Sequence, residues 1–212
     1  GIITLVYAVI AFARLGDMNA PKSEYSLVKH GAVTFDMGAE VNVVKLWDFL
    51  GYKNNPTYYI EYTNDVNGEW TTLCGQGSEW DAGSVFTWNQ KDINVSARYF
   101  RISPSAENGE DSILELVFTD ADGNLLEPVN AKEYKNLFDE QKLFTGRSTN
   151  LNGTYFDEIY HARTAYEMIH HLYCYENTHP PLGKAIMAVG ILIFGMCPFG
   201  WRFMGTLFGV LM

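Results

Sequence analysis

An uncharged apolar run stands at each end of this 212-residue chain, and these two runs constrain its fold more than any other feature. The first run covers residues 1–13 and the second covers residues 203–212. Because a helix that spans a bilayer needs about 20 apolar residues, each run is typical of part of a span. A cleaved signal peptide is the alternative for the first run, but no basic residue precedes it and its end lacks a small-residue cleavage site. We therefore expect a piece of a larger membrane protein, in which residues 1–20 end one transmembrane helix and residues 199–212 begin the next.

The acidic charge of the chain lies in its middle segment. Residues 22–130 contain 7 Lys and Arg residues against 17 Asp and Glu residues, which accounts for the whole formal net charge of −10. Such a surface repels the phosphate backbone of nucleic acids. We therefore expect no nucleic-acid partner.

The same segment has the pattern of antiparallel strands joined by hairpins. Apolar and polar residues alternate in residues 57–62, 98–102 and 113–119, and many of the apolar residues are aromatic. Turn-forming runs occur at residues 64–68 and 120–123. Many short strands in a segment of this length predict a β-sandwich.

Four runs in this segment resemble the discoidin (F5/8 type C) family: VKLW at residues 44–47, YIEYTND at residues 59–65, ARYFRI at residues 97–102 and ILELVF at residues 113–118. The resemblance covers about residues 30–125. It implies an eight-stranded jelly roll whose relatives often bind glycans or lipid head groups at loop tips. We therefore expect a mixed fold class, with an antiparallel β-sandwich (a discoidin-like jelly roll) at residues 22–130 inserted in an α-helical membrane-protein fragment.

Three aromatic residues of this segment are candidates for glycan binding: Trp80, Phe86 and Trp88. Rings that are exposed in loops can stack on the face of a sugar. The alternative, which we favour from the sequence, is that these rings fill the core as aromatic side chains usually do. A cell-surface glycan is the partner that the first interpretation implies.

The C-terminal part of the chain has helical patterns. Residues 131–153 combine a short helical pattern with a polar stretch and are predicted to form a linker. Apolar residues recur at helical spacing over residues 157–176, which predicts an amphipathic helix. A proline pair then opens a second helix over residues 182–196. That helix is too short to cross a bilayer, so we expect residues 154–198 to form a loop with two membrane-surface helices.

Three charged residues near these helices can serve structure or chemistry. Asp157 and Glu158 are adjacent acids at a helix start, where acids stabilise the helix dipole by about 0.3–1 kcal/mol when exposed. From composition alone we favour that structural role. Arg202 opens the second apolar run, where an arginine can anchor a helix at the membrane interface or hold a lipid-linked phosphate through two parallel hydrogen bonds.

Four of the five histidines lie between positions 161 and 179, which raises the question of a metal site: His161, His170, His171 and His179. Two of them are adjacent and point to different sides of a helix, and no HExxH motif occurs. We therefore expect no bound metal.

Four motifs follow one another along the chain: ARLG at residues 13–16, FDEIYH at residues 156–161, NTHPPLGK at residues 177–184 and FGWRF at residues 199–203. Their order resembles the first extracytoplasmic loop of the protein O-mannosyltransferase family, membrane glycosyltransferases of the GT-C class that use polyprenyl-phosphate sugars. The resemblance covers about residues 1–20 and 150–212. The β-sandwich is then an insert between the first span and the acidic pair.

The resemblance implies roles for the charged residues. An inverting transfer to a Ser or Thr hydroxyl needs a carboxylate base, which is Asp157 by resemblance, with Glu158 orienting the acceptor or the base. The departing lipid phosphate gains negative charge, so Arg202 is implied as its partner, with Lys184 as a weaker candidate. Three further residues are implied to shape the loop between the surface helices: His179, Pro180 and Pro181.

The function implied by the resemblance is the transfer of a sugar, mannose by resemblance, from a polyprenyl-phosphate carrier to Ser or Thr hydroxyls of proteins, with inversion. The lipid-linked sugar is a substrate, and no divalent metal cofactor is expected. The parent would be a multi-pass protein of the cell membrane with about residues 15–200 outside the cytoplasm, and the fragment alone would be inactive. Two alternatives stay open: a membrane-anchored glycan-binding or adhesion protein, and a GT-C relative that glycosylates a lipid acceptor.

Overall fold

The chain forms two compact units. A strand-rich unit covers Pro21–Arg147, and a helical unit joins Gly1–Ala20 to Ser148–Met212. The computed structural model describes residues 1–53, 58–74, 85–104 and 112–212. Five α-helices occur in these ranges: α1 (Ile2–Phe12), α2 (Leu27–His30), α3 (Glu158–Ile169), α4 (Pro181–Phe194) and α5 (Pro198–Leu211).

An antiparallel sheet forms most of the strand-rich unit. Its strands in the described ranges are β1 (Val33–Leu50), β2 (Tyr58–Thr63), β3 (Thr71–Cys74), β4 (Trp88–Pro104), β5 (Ile113–Thr119) and β6 (Leu125–Leu126). They are hydrogen-bonded in the order β3-β2-β4-β1-β5-β6. The predicted antiparallel architecture is confirmed and is consistent with a β-sandwich. The described ranges contain six strands rather than the eight that the resemblance implied.

The two long strands β1 and β4 connect the two sides of the sheet. They pair along most of their length, with a register shift between Asp36 and Val41 that includes Gly38 at a φ of 80°. Shifts of this kind bend a strand. One apolar cluster contains many of the buried side chains of the sheet, and its fully buried members include Phe35, Leu46, Ile60, Phe100, Ile102, Leu116 and Phe118.

Residues 131–147 belong to the strand-rich unit, although the sequence pattern predicted that they begin a linker. A 3₁₀ helix covers Ala131–Leu137. Ala131, Leu137 and Phe138 are buried in the apolar cluster of the sheet. Residues 131–147 therefore do not form a linker, because their few apolar side chains pack in the core of the strand-rich unit.

The helical unit contains α1, α3, α4 and α5. Helix α3 ends well before the predicted end at residue 176, because the chain turns back after it. At this turn His171 has a φ of 56°, and the Leu172 N–H donates to the Glu167 carbonyl oxygen at 2.9 Å. Helix α4 lies close to the range predicted for the second surface helix. None of the helices in the described ranges combines the length and the apolar character that crossing a membrane demands.

Helices α4 and α5 approach each other through glycine. A methyl group at Gly190 would clash with the Gly200 carbonyl oxygen, and one at Gly200 would clash with the Gly195 carbonyl oxygen. Gly195 ends α4 with a φ of 90°, which other residues rarely adopt. This close approach fixes α5, and therefore Arg202 in its first turns, against α4.

Glu115 of β5 is a buried carboxyl group in the strand-rich unit. Its side chain is fully buried, and burial raises its pKa to about 8. The Gln141 side-chain amide at 2.7 Å and the Glu140 backbone N–H at 2.8 Å donate to its oxygens and partly oppose this rise. The folded chain therefore keeps a proton on Glu115 at neutral pH.

We predict that Glu115 makes the stability of the chain fall as the pH rises. Between about pH 4.5, where the unfolded chain loses this proton, and about pH 8, where the folded chain loses it, the folded state binds more protons. The free energy of unfolding should then decrease by up to about 1.4 kcal/mol per pH unit. Glu115→Gln should flatten this slope in urea unfolding over that range. The control is Glu133→Gln at an exposed position, and equal slopes in the two variants would contradict the prediction.

Candidate functional site

An ion pair between Glu158 and Arg202 joins the start of α3 to the start of α5. Arg202 Nε donates to Glu158 Oε1 at 2.6 Å, and Arg202 Nη2 donates to Oε2 at 2.5 Å. The exposed fractions of the side chains are 14% for Arg202 and 26% for Glu158. Two parallel charge-assisted hydrogen bonds, partly sheltered from water, are the strong form of a salt bridge. Glu158 is therefore held in one position.

All five N–H groups of Arg202 have partners. Besides the pair with Glu158, Nη1 donates to the carbonyl oxygens of Leu15 at 2.9 Å and Asn150 at 2.6 Å, and Nη2 donates to that of Gly153 at 3.2 Å. A guanidinium carries five N–H donors, so its capacity is used in full. In this structure no N–H group of Arg202 is left over for a donor phosphate, and the contact with that phosphate stays a prediction. In this geometry Arg202 fastens the acidic turn to α5.

Asp157 presents its carboxylate to solvent. It stands directly before α3 with a φ of −65° and a ψ of −11°, whereas a residue that caps a helix through its side chain usually has extended backbone. Its carboxylate accepts no capping hydrogen bond. Within the described ranges it has no hydrogen-bond or ion-pair partner, and the residue is exposed. The side chain of Asp157 therefore does not cap α3 through a hydrogen bond.

The turn before Asp157 is in an uncommon conformation. Phe156 has a φ of 51°, in the left-handed region that residues other than glycine rarely enter. Its side chain is 74% exposed, so core packing does not hold it there. The Tyr155 N–H donates to Glu158 Oε2 at 3.1 Å across the turn. Conformations of this kind concentrate at functional sites and persist where the surroundings fix them, as Glu158 does here.

Lys184 is buried and already paired. Only 3% of it is exposed, and its Nζ donates to the carboxylate of Glu176 and to the Glu176 carbonyl oxygen at 2.8 Å. The backbone N–H groups of Thr178 at 2.6 Å and His179 at 3.1 Å donate to the same carboxylate. Hydrogen bonds from Lys184 and then Thr178 hold the pKa of Glu176 well below its usual range. Glu176 neutralises the charge of Lys184 in this structure, and its contact with a donor phosphate stays a prediction.

The residues predicted to shape the loop lie at the start of α4. Pro181 is the first residue of that helix, where a missing N–H costs no helical hydrogen bond, and Pro180 precedes it. His179 is 62% exposed, and its Nδ1 lies 3.1 Å from Glu176 Oε1. The loop-shaping role of these three residues stays a prediction.

The rings predicted to bind a glycan lie in the strand-rich unit. Phe86 is 3% exposed and Trp88 is 2% exposed. The Trp88 ring meets Phe49 at 5.3 Å and Phe144 at 5.0 Å between centroids. Rings without an exposed face cannot stack on a sugar, so the structure supports the core interpretation for both. Trp80 lies outside the described residues.

A cleft of about 500 Å³ lies beside the ion pair in the helical unit, and α4 and α5 line most of it. Glu158 and Arg202 form its charged wall. Gly183 of α4 and Gly205 of α5 also line it, and a methyl group added to either glycine would meet no atom within 4 Å. The cleft therefore offers space for an apolar group next to the acidic turn.

The sequence pattern did not indicate the roles of Glu176 or of the buried pair Arg163 and Glu167. Arg163 Nε donates to Glu167 Oε1 at 2.8 Å, and the Tyr175 N–H donates to Glu167 Oε2 at 2.8 Å. Together they fold the loop after α3 back onto that helix. The i, i+4 spacing of Arg163 and Glu167 was the available signal. No spacing in the sequence indicated the role of Glu176, because its partners come near it only when the loop is folded.

Comparison with known proteins finds partial relatives. No family model matches the chain. A 73-residue segment is 37% identical to the polyprenol-phosphate-mannose–protein mannosyltransferase of Mycobacterium tuberculosis and covers 32% of this chain. A 72-residue segment is 35% identical to the protein of that name from Mycolicibacterium smegmatis and covers 31% of this chain. Each match covers 14% of the relative, so the chain is similar to a short part of these proteins.

Two solved structures resemble part of the chain. Chitosan-binding module 1 from a chitosanase/glucanase of Paenibacillus sp. IK-5 is 16% identical, with a TM-score of 0.32, over 42% of this chain and 67% of the module. CpGH89CBM32-6 of Clostridium perfringens is 22% identical, with a TM-score of 0.33, over 51% of this chain and 84% of the module. Likenesses at this level do not bear on fold or ligand.

We predict that Arg202→Lys destabilises the helical unit by about 2 kcal/mol, because an ammonium cannot form the bidentate pair and makes fewer hydrogen bonds to charged and carbonyl oxygens. Urea unfolding of the chain in detergent measures the loss. The matched control is Arg14→Lys in the same unit, where the side chain is exposed and the change should stay within about 0.5 kcal/mol. Equal losses in the two variants would show that the five contacts of Arg202 do not stabilise the unit.

Proposed function

We propose that this chain is part of a membrane glycosyltransferase that moves mannose from a polyprenyl-phosphate carrier to Ser or Thr hydroxyls of proteins, with inversion. The observation that carries the proposal is the carboxylate pair at the start of α3. Asp157 is exposed and unpaired in the described part of the chain, while Arg202 fixes the neighbouring Glu158. The name of the partially matching relatives supports the same donor and acceptor. About residues 15–200 would then lie outside the cytoplasm, next to the membrane.

In this proposal Asp157 is the catalytic base. The acceptor hydroxyl oxygen attacks C1 of mannose opposite the phosphate, and the C1–O bond to the phosphate breaks with its electron pair leaving on the phosphate. The hydroxyl proton passes to the Asp157 carboxylate as the new bond forms. A single displacement of this kind inverts C1. An exposed carboxylate without an internal cation suits the role, since nothing in the described structure neutralises it.

Glu158 and Arg202 have supporting roles in the proposal. Their bidentate pair is neutral as a whole and holds the turn in which Asp157 lies. Glu158 then orients the acceptor or the base, and Arg202 orients Glu158. Contact between Arg202 and the donor phosphate would require the release of at least one of its present partners.

A cell-surface glycan stays a predicted ligand of the strand-rich unit. Phe86 and Trp88 do not supply a stacking surface, because both are buried. Trp80 is the third candidate ring and lies outside the described residues.

We predict that Asp157→Asn lowers transfer by about 100-fold to 10,000-fold, because the amide cannot accept the hydroxyl proton. The measurement is transfer from polyprenyl-phosphate mannose to a Ser/Thr peptide by the full-length protein in membranes. The matched control is Asp17→Asn, an exposed acid of the same unit, which should leave the rate unchanged. Equal rates for Asp157→Asn and the unaltered protein would reject the proposed base. Absence of transfer by the unaltered protein would reject this donor and acceptor.

We also predict that Gly205→Leu raises KM for the lipid-linked donor by about tenfold, while kcat changes little. In this proposal the isoprenoid chain of the donor lies in the cleft next to Glu158 and Arg202, and the leucine side chain would fill that space. Loss of apolar contact of about this size corresponds to about 1–2 kcal/mol. Gly205→Ala should have a smaller effect. The control is Gly209→Ala, one turn further along α5 and outside the cleft lining. If Gly205→Leu leaves KM unchanged, the cleft does not hold the isoprenoid chain.

A further inference from the structure

Three side chains on and after α3 converge on one point. His161 lies on α3, and Glu176 and His179 lie in the loop that leads to α4. His179 Nδ1 is 3.1 Å from Glu176 Oε1, and His161 Nδ1 is 4.0 Å from Glu176 Oε2. The two imidazole rings meet edge to face with centroids 5.0 Å apart. One ligand atom from each side chain lies within 4.8 Å of those from the other two.

These side chains match the ligands of a zinc ion. Zinc binds histidine nitrogen and carboxylate oxygen at about 2.0–2.2 Å, and two histidines with one glutamate leave a fourth position for water. With those bond lengths, neighbouring ligand atoms of a tetrahedral ion are about 3.3 Å apart. His179 Nδ1 is 3.1 Å from Oε1 and His161 Nδ1 is 4.0 Å from Oε2 of Glu176, and the three ligand atoms lie within 4.8 Å of one another. The side chains would therefore move closer together around a bound ion.

The surroundings fix the ligands and leave one side open. Glu176 is 10% exposed and is held by the Thr178 N–H at 2.6 Å and by Lys184, as carboxylates that bind metals are held by neighbouring donors. His161 is 27% exposed. His179, at 62% exposed, provides the path by which an ion reaches the site from solvent.

The convergence does not follow from the density of histidines in the sequence. His170 and His171 are exposed at the end of α3, and neither belongs to the group. The His170 ring packs on Tyr166 instead, at 4.1 Å between centroids. Residues far apart in the chain meet because Glu167 ties the returning loop to α3 through the Tyr175 N–H.

We propose that His161, Glu176 and His179 form a zinc site, with Nδ1 of each histidine and one oxygen of Glu176 as ligands. Zinc bound there would fasten the returning loop to α3. The proposal differs from the expectation that no metal is bound, which rested on His170, His171 and the lack of HExxH. It does not depend on the proposed glycosyl transfer, because its test measures metal binding alone.

Lys184 gives the proposal a distinctive consequence. Its ammonium group donates to the Glu176 carboxylate, so an ion at the site faces a positive charge nearby. Methionine has a similar length and no charge. Zinc should therefore bind Lys184→Met more tightly than the unaltered chain, whereas general loosening of the loop would weaken binding.

The test is calorimetric titration of the chain with ZnCl₂ at neutral pH. We expect one ion per chain, with affinity about tenfold or more lower in His161→Ala and in His179→Ala. His170→Ala and His171→Ala are the matched controls and should bind as the unaltered chain does.

Three results would overturn the proposal: no saturable binding by the unaltered chain, unchanged affinity in both ligand variants, or equal losses in the control variants. Weaker binding by a folded Lys184→Met would also overturn it, and circular dichroism checks the fold. If Lys184→Met does not fold, His179→Ala decides the matter, since this side chain is 62% exposed and its removal leaves the core intact.

Discussion

The bidentate pair between Glu158 and Arg202 is the interaction on which the arrangement of the helical unit depends. It joins the first turn of α3 to the first turns of α5. The remaining donors of Arg202 reach the carbonyl oxygens of Leu15, Asn150 and Gly153. A guanidinium satisfies five planar donors only when every partner is in place. Partial shelter from water makes such a pair stronger than a surface salt bridge. One side chain thereby sets the relative positions of four chain segments.

The same pair explains how two adjacent carboxylates differ. Glu158 is neutralised by Arg202, whereas Asp157, which follows Phe156 in its left-handed conformation, is exposed to solvent. Lys184 repeats the first case, because Glu176 neutralises it inside the returning loop. The fold therefore decides which charged side chains form ion pairs and which remain unpaired. In the proposed transfer the unpaired carboxylate of Asp157 accepts the proton, next to the paired Glu158.

Much of the fold could be predicted because its signals are local. The alternating pattern of β5 was sufficient for its bounds, and the proline pair at the start of α4 predicted where that helix begins. Two predicted boundaries differ from the structure, in each case because of contacts that form only in the folded chain. Helix α3 ended early because Glu167 binds the backbone of the returning loop, and residues 131–147 joined the sheet because the core covers their apolar side chains. For Trp88 the sequence favoured a place in the core over ligand contact, and its burial supports the core.

By itself, the sequence determined the apolar ends, the acidic strand-rich middle, and the order of the acidic, proline and arginine motifs. These properties follow from composition and from spacing along the chain. Only the tertiary structure decided which charges are neutralised. Glu158 pairs with Arg202 and Glu176 pairs with Lys184, whereas the carboxylate of Asp157 is exposed without a partner in the described ranges. The tertiary structure also places the ring of His161 against that of His179. The reason is the short range of hydrogen bonds and ion pairs. They act over a few ångströms in space, between residues whose separation in sequence carries no periodic signal.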